Sequence, residues 1–267
     1  MSGRVLVWGF TLPGNEPQHA ELAPSAYERW KNCPGSIRMS RGLPSTAGAA
    51  ALEGTEVHEL AAQVLRGVNP YSLNAPDPYV DAVLFYQNEL MDDFLESPAF
   101  KLPGSIEQYG KIEFPVDLRP HVPGVYGTLD FGAMDVPQRL LRIYDLKYGV
   151  TPVYAEANPQ LLIYAIGMML NFPQFIFEEV ELNIIQPRAK TKTTRHRRWR
   201  CSAFDLLDFQ ADLIRHVAAT QSPSSPLLAG DWCWFCPARL NCPALRAKKH
   251  DKAKNIFAEE DEFEKLF

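Results

Sequence analysis

Apolar and polar positions alternate most regularly between residues 125 and 147. The runs 125–132 and 139–147 are rich in Val, Tyr, Leu, Ile and Phe, and each reads as a strand. Between them lies MDVPQR, in which Pro137 suits the second position of a tight turn. A turn with Pro137 and Gln138 at its centre pairs Asp130 directly with Asp145, with their Cβ atoms about 5 Å apart on one face. Alternation sends Asp145 and Lys147 the same way, with Leu141 and Ile143 behind them and Leu146 pointing oppositely. Two opposed carboxylates repel, so the pair needs a metal ion or Lys147 to neutralise it.

A helix follows the hairpin. Asn158 is a good N-cap, Pro159 fits the first helical position, and QLLIYAIGMML continues as a mostly apolar helix. Gln160 and Tyr164 lie one turn apart on one face of it, so Asp130, Asp145, Lys147, Gln160 and Tyr164 can converge. Residues 46–67 predict an amphipathic helix with Val57, Leu60, Ala61, Val64 and Leu65 as its stripe. His58 on that helix is either structural, as a lone histidine on such a face more often is, or a neutral imidazole that serves beside the acidic pair as a third metal ligand. Residues 24–40 predict a short helix capped by Ser25 and ended by Cys33, before Pro34. DAVLFYQNELMDDFL predicts a helix with an acidic outer face, and KIEFPVD (111–117) a strand leading to the hairpin. That strand carries Glu113, a further acid for the site or a solvated one. Residues 175–187 predict another strand, and 203–219 an amphipathic helix.

The chain has 267 residues, 46% hydrophobic and 22% charged, enough for one domain over 1–250 with an acidic tail at 251–267. A net charge of −5 excludes a generally basic nucleic-acid coat. Nucleic-acid contact must be local, and Arg188–Arg200 is the candidate. Arg188, Lys190, Lys192, Arg195, Arg197, Arg198 and Arg200 are basic with no acid among them, and Trp199 could stack on a base. No apolar run approaches the roughly 18 residues of a membrane helix, and the first residues make a poor signal peptide, so a cytoplasmic location is the default. In that compartment the five cysteines bind metal or stay free. Cys233, Cys236 and Cys242 form a C-x2-C-x5-C array that lacks one ligand, with Cys33 and Cys201 available elsewhere. Four thiolates suit zinc or a 4Fe–4S cluster. The three-plus-one spacing, with prolines after Cys33, Cys236 and Cys242, fits the cluster better and leaves Cys201 spare. The ending IFAEEDEFEKLF reads as a frayed helix, or as a segment that docks a partner protein.

The set His58, Asp130, Asp145-x-Lys147 and Gln160-x-x-x-Tyr164 resembles the RecB-type branch of the PD-(D/E)XK nuclease superfamily. One cysteine before this core and three after it resemble the members with an iron–sulfur cluster, such as the CRISPR-associated RecB-like exonucleases and the AddB nuclease domain. PSAYERWKNCPGS, EGTEVHELAA, YGTLDFG, YDLKYG and NPQLLIYAIG are similar to a family of phage and prophage proteins of that type. The resemblance spans about residues 24–245. It implies an α/β restriction-endonuclease-like fold: a central mixed sheet flanked by helices, with a cluster clamp joining segments 24–45 and 228–246. It implies Mg²⁺ or Mn²⁺ on His58, Asp130, Asp145 and the Leu146 carbonyl. Lys147 would activate water and offset phosphate charge, Gln160 and Tyr164 would contact DNA and support the site, and Cys33, Cys233, Cys236 and Cys242 would hold the cluster. Leu129 stands where the family's proline precedes the first aspartate, and Asp145 replaces the commoner Glu, which shortens the reach to metal. The activity implied is a DNA exonuclease of phage replication or recombination, working with DNA and a phage replication or recombination protein. The alternative is a non-catalytic DNA-binding or recombination-partner protein on the same fold, acting through residues 188–200.

Overall fold

The computed structural model describes residues 20–44, 48–97 and 109–264. Its helices are α1 (Tyr27–Asn32), α2 (Gly35–Ser40), α3 (Ala49–Leu65), α4 (Asp77–Glu96), α5 (Pro159–Asn171), α6 (Ala203–Gln221) and α7 (Pro243–Glu264). Its strands are β1 (Gly110–Asp117), β2 (Tyr126–Asp135), β3 (Leu140–Leu146), β4 (Glu179–Ile185) and β5 (His196–Ser202). They form one mixed sheet in the order β1-β2-β3-β4-β5. The β3–β4 pair is parallel, joined through α5, and the other three pairs are antiparallel. A parallel pair needs such a crossover, and the capped, apolar α5 provides it.

The hairpin has the predicted register. Arg139 N–H donates to Val136 O at 3.2 Å, which places Pro137 and Gln138 at the turn centre. The ladder runs from Asp135 opposite Leu140 to Phe131 opposite Tyr144, so the next rung brings Asp130 opposite Asp145.

Helices cover both faces of the sheet. On one face α5, α1 and α6 pack Leu161, Trp30 and Leu213 over Leu129, Leu141, Ile143 and Leu182. On the other, α3 and α4 bring Val57, Leu60, Tyr86 and Leu90 over Phe131, Tyr144 and Leu146. Close approach of α5 to β1 requires Gly167, where a Cβ would lie 1.9 Å from Val116 Cγ1. The start of α2 meets the segment that follows α6. Gly35 N–H donates to Pro226 O at 3.0 Å, and a Cβ on Gly35 would lie 2.7 Å from Ser225 O.

Several expectations change. Residues Pro24–Ala26 form a 3-10 turn, so α1 begins after Ala26 and Ser25 does not cap it. The acidic side of α4 is not wholly outward: Asp93 is buried and Glu89 half-buried against β5. α7 runs through the expected boundary at residue 250. The side chains of 255–267, and with them the expected partner-docking ending, lie outside the described residues. Among the described residues no helix is long and apolar enough to cross a membrane.

Candidate metal centre

The end of β3 and the first turn of α5 build one half of the site. Lys147 Nζ pairs with Asp145 Oδ2 at 2.7 Å and donates to Gln160 Oε1 at 3.1 Å. Gln160 Nε2 donates to Asp145 Oδ1 at 3.0 Å and to the Tyr164 hydroxyl at 3.3 Å. This order follows from local chemistry. Asn158 caps α5 by accepting from the Gln160 and Leu161 N–H groups, which fixes where Gln160 begins its helical turn. Lys147 N–H donates to Ile185 O at 2.9 Å, so β4 holds the residue just past β3.

The other half comes from β1, β2, α3 and α4. Asp130 Oδ1 lies 3.2 Å from His58 Nδ1, and Asp130 Oδ2 accepts the Leu146 N–H at 2.7 Å. His58, Glu113 and Asp130 each offer a ligand atom within 4.8 Å of the other two. Those three residues line a narrow cavity with Ala61, Ala62, Leu65, Tyr86 and Leu146. Sequence reasoning raised Glu113 but gave no reason for it to turn inward. The structure supplies one. Phe114 and Val116 face the α5 side, whereas Ile112 faces α3 and α4. Regular alternation would put all three on one side. The switch occurs at Glu113, which has φ +46, opposite the Asp130 rung. Tyr86 carried no polar signal, because it reads as part of the apolar stripe of α4.

The electrostatics are those of a crowded charge cluster. Burial works against the Asp130 carboxylate, yet His58 and Lys147 hold it below its ordinary range. Asp145 is raised by burial, against the pull of Lys147 and with Asp130 adding repulsion. Burial disfavours the His58 cation, but Asp130 outweighs it and brings the group up to about 9. Lys147 likewise stays charged despite burial, because Asp145 and Asp130 attract it. Burial and then Asp130 raise Glu113 to about 7.

Cys33, Cys233, Cys236 and Cys242 line a second cavity, of about 10 Å³, with Arg29, Met39, Trp232 and Arg239 among its other walls. All the cysteines are free. Leu228 N–H points at Cys33 Sγ at 3.3 Å and Gly230 N–H at Cys233 Sγ at 3.4 Å. Cys201 is elsewhere, on β5 opposite Val180 in the core.

The basic segment divides between two faces of β5. Arg198 pairs with buried Asp93 at 2.6 Å, and Arg200 with buried Glu181 at 2.6 Å. Arg197 donates to Gln186 Oε1 at 3.0 Å and lies over the Tyr154 ring. Arg195 donates to Ala189 O and lies over Phe85, and Trp199 packs on the core. Arg188 and Lys190 are exposed; the Lys192 side chain lies outside the described residues. Most of the expected phosphate-contact side chains therefore already have protein partners. The acids Asp93 and Glu181, far off in sequence, gave no warning of this.

The fold is thus a five-stranded mixed sheet flanked by helices, with a buried carboxylate–lysine cluster beside the end of β3. Residues 19–266 match the family described as Protein of unknown function (DUF2800), and the chain belongs to that family. It is also similar to the solved structure titled "Crystal structure of SSO0001", at 16% identity and a TM-score of 0.36, covering 86% of this chain and 88% of that one.

Proposed function

We propose that the protein is a divalent-metal-dependent deoxyribonuclease with a PD-(D/E)XK core. One observation carries this reading: Asp145, Lys147, Gln160 and Tyr164 are hydrogen-bonded in sequence beside an Asp130–His58 pair. The donors are imidazole and carboxylate, the hard set that suits Mg²⁺ or Mn²⁺, and His58, Asp130 and the neighbouring Glu113 offer ligand atoms within 4.8 Å of one another. Such an ion on His58, Asp130 and Asp145 would offset charge on a phosphodiester and lower the pKa of an attacking water.

The chain's own groups prepare for that chemistry. Lys147 keeps its proton and is held by Asp145 and Gln160, so its remaining N–H is aimed rather than free to rotate. It can donate to a phosphate oxygen as negative charge builds there. Gln160 fixes both Asp145 and Lys147. Tyr164 remains a neutral hydroxyl, its proton retained by burial and by the nearby Asp145. We read the substrate as DNA and the action as exonucleolytic, in phage DNA replication or recombination.

The four cysteines around the second cavity are read as ligands of a 4Fe–4S cluster that clamps the chain's ends. A zinc tetrathiolate with Zn–S of about 2.3 Å has sulfurs roughly 3.8 Å apart. Among the described residues no three thiols gather within 4.8 Å. Anaerobic purification tests it: broad absorbance near 400 nm with bound iron and sulfide supports the cluster, and colourless protein with stoichiometric zinc replaces it.

The test of the activity is cleavage by Asp145→Ala and Lys147→Ala. Both should lose hydrolysis and keep DNA binding; metal-dependent cleavage retained in both contradicts the assignment.

A further inference from the structure

Three features meet at the cavity between α3, α4 and β1. The first is Glu113. Its carboxylate has no hydrogen-bond or ion-pair partner among the described residues, although it is only partly exposed. Its backbone is in the left-handed region at φ +46, which a residue with a Cβ seldom adopts without a constraint. That conformation turns it toward His58 and Asp130.

The second is the Tyr86 hydroxyl. Tyr86 is 1% exposed and its Oη has no hydrogen-bond partner. It lines the same cavity as His58, Glu113 and Asp130. Buried hydroxyls are nearly always satisfied, so this one is aimed at something that enters.

The third is an asymmetry between the acids. Asp145 has Gln160 on Oδ1 and Lys147 on Oδ2, so a cation there must compete with an ammonium already in place. On the Glu113 side no lysine or arginine lines the cavity. His58, Glu113 and Asp130 face one another with ligand atoms already gathered.

We propose that Glu113 is a metal ligand, and that the tighter divalent-cation position of this protein lies among His58, Glu113 and Asp130 rather than between Asp130 and Asp145. Asp130 is shared between the two positions. Tyr86 Oη–H would donate a hydrogen bond to a water held by the ion, since Mg²⁺ usually keeps several waters. The strained backbone at Glu113 is what brings its carboxylate across the rung. This rests on the reading that the site takes a divalent cation at all.

The experiment is Mn²⁺ titration of the full-length protein, by calorimetry and by the loss of free-ion electron paramagnetic resonance. The variants are Glu113→Gln, Glu113→Gly, Tyr86→Phe and Asp145→Asn. Glu113→Gln should weaken Mn²⁺ binding roughly tenfold or more, a loss at least as large as outer-shell changes produce. Asp145→Asn should weaken it less. Tyr86→Phe should fall between wild type and Glu113→Gln. Glu113→Gly guards against misfolding, because glycine takes positive φ freely: it should melt no lower than wild type without metal, yet bind Mn²⁺ as weakly as Glu113→Gln. Wild-type affinity in both Glu113 variants, or a larger loss in Asp145→Asn, overturns the assignment. No Mn²⁺ binding by wild type removes the metal reading itself. Binding that depends on Glu113 without DNA cleavage sustains this site while removing the nuclease.

Discussion

Replacing Lys147 by Met tests how the acidic pair is held together. The ammonium lies 2.7 Å from Asp145 Oδ2, and the Asp145 side chain is only 2% exposed, against 25% for Lys147. Met keeps the length and apolar stem but leaves Asp145 with Gln160 alone, next to Asp130. Removing one partner of a buried ion pair costs about 3–5 kcal/mol. The partial exposure of Lys147 lets water screen some of this, so the lower end, about 3 kcal/mol, applies. For a chain of this size each kcal/mol moves the melting temperature by about 2–4 °C, which gives a drop of roughly 6–12 °C in EDTA. Mn²⁺ fixed at about 100 times the wild-type Kd adds roughly 2.7 kcal/mol to wild type, if it binds only the folded chain. The variant should gain more than wild type, because the ion replaces the missing positive charge. Lys147→Met/Asp145→Asn should recover part of the loss, since the stranded charge is gone. Circular-dichroism melts in EDTA and in Mn²⁺ read all three. A Lys147→Met protein melting within about 2 °C of wild type in EDTA, with no extra gain from Mn²⁺, would refute this account of the charge balance.

Other consequences are quickly checked. Gly167→Ala drives a methyl into Val116 and should cost about 1–3 kcal/mol or more in urea unfolding; an unchanged midpoint would mean that α5 and β1 part freely. Arg142→Ala strands buried Asp135 and Glu181, with which Arg142 pairs at 3.1 and 3.3 Å. It should destabilise by about 3 kcal/mol, the low end for a buried pair because Ser97 and Arg200 remain as partners. Burial, and then Asp205, raise the Cys201 thiol from 9.0 to about 11. A raised folded value means stability is intact below 9.0 and falls as pH climbs through about 11. Urea midpoints above pH 9.0 should thus fall less in Cys201→Ala than in wild type, and equal slopes would contradict the assignment.

The hairpin was legible because strand alternation and one proline set its register, and register fixed which acids face each other. Asn158, Gln160 and Tyr164 were legible for a similar reason: a capped helix has a fixed phase. His58 could be named from its helix but not aimed, since nothing local says which strand that helix covers. Glu113 was read as site or solvent with equal weight, because strand periodicity cannot foresee a left-handed residue that breaks it. The surroundings of the basic segment were the least legible. Charge along a strand says nothing about Asp93 and Glu181, which sit on other elements and take up Arg198 and Arg200. Tyr86 gave no sign at all, since a tyrosine in an apolar stripe reads as core.

The most direct measurement is cleavage of end-labelled single- and double-stranded DNA by anaerobically purified protein in Mg²⁺, Mn²⁺ and EDTA. Wild type should cleave in at least one metal and stop in EDTA, while Lys147→Ala binds DNA without cutting it. Wild-type protein that binds Mn²⁺ but leaves every DNA substrate intact would contradict the account.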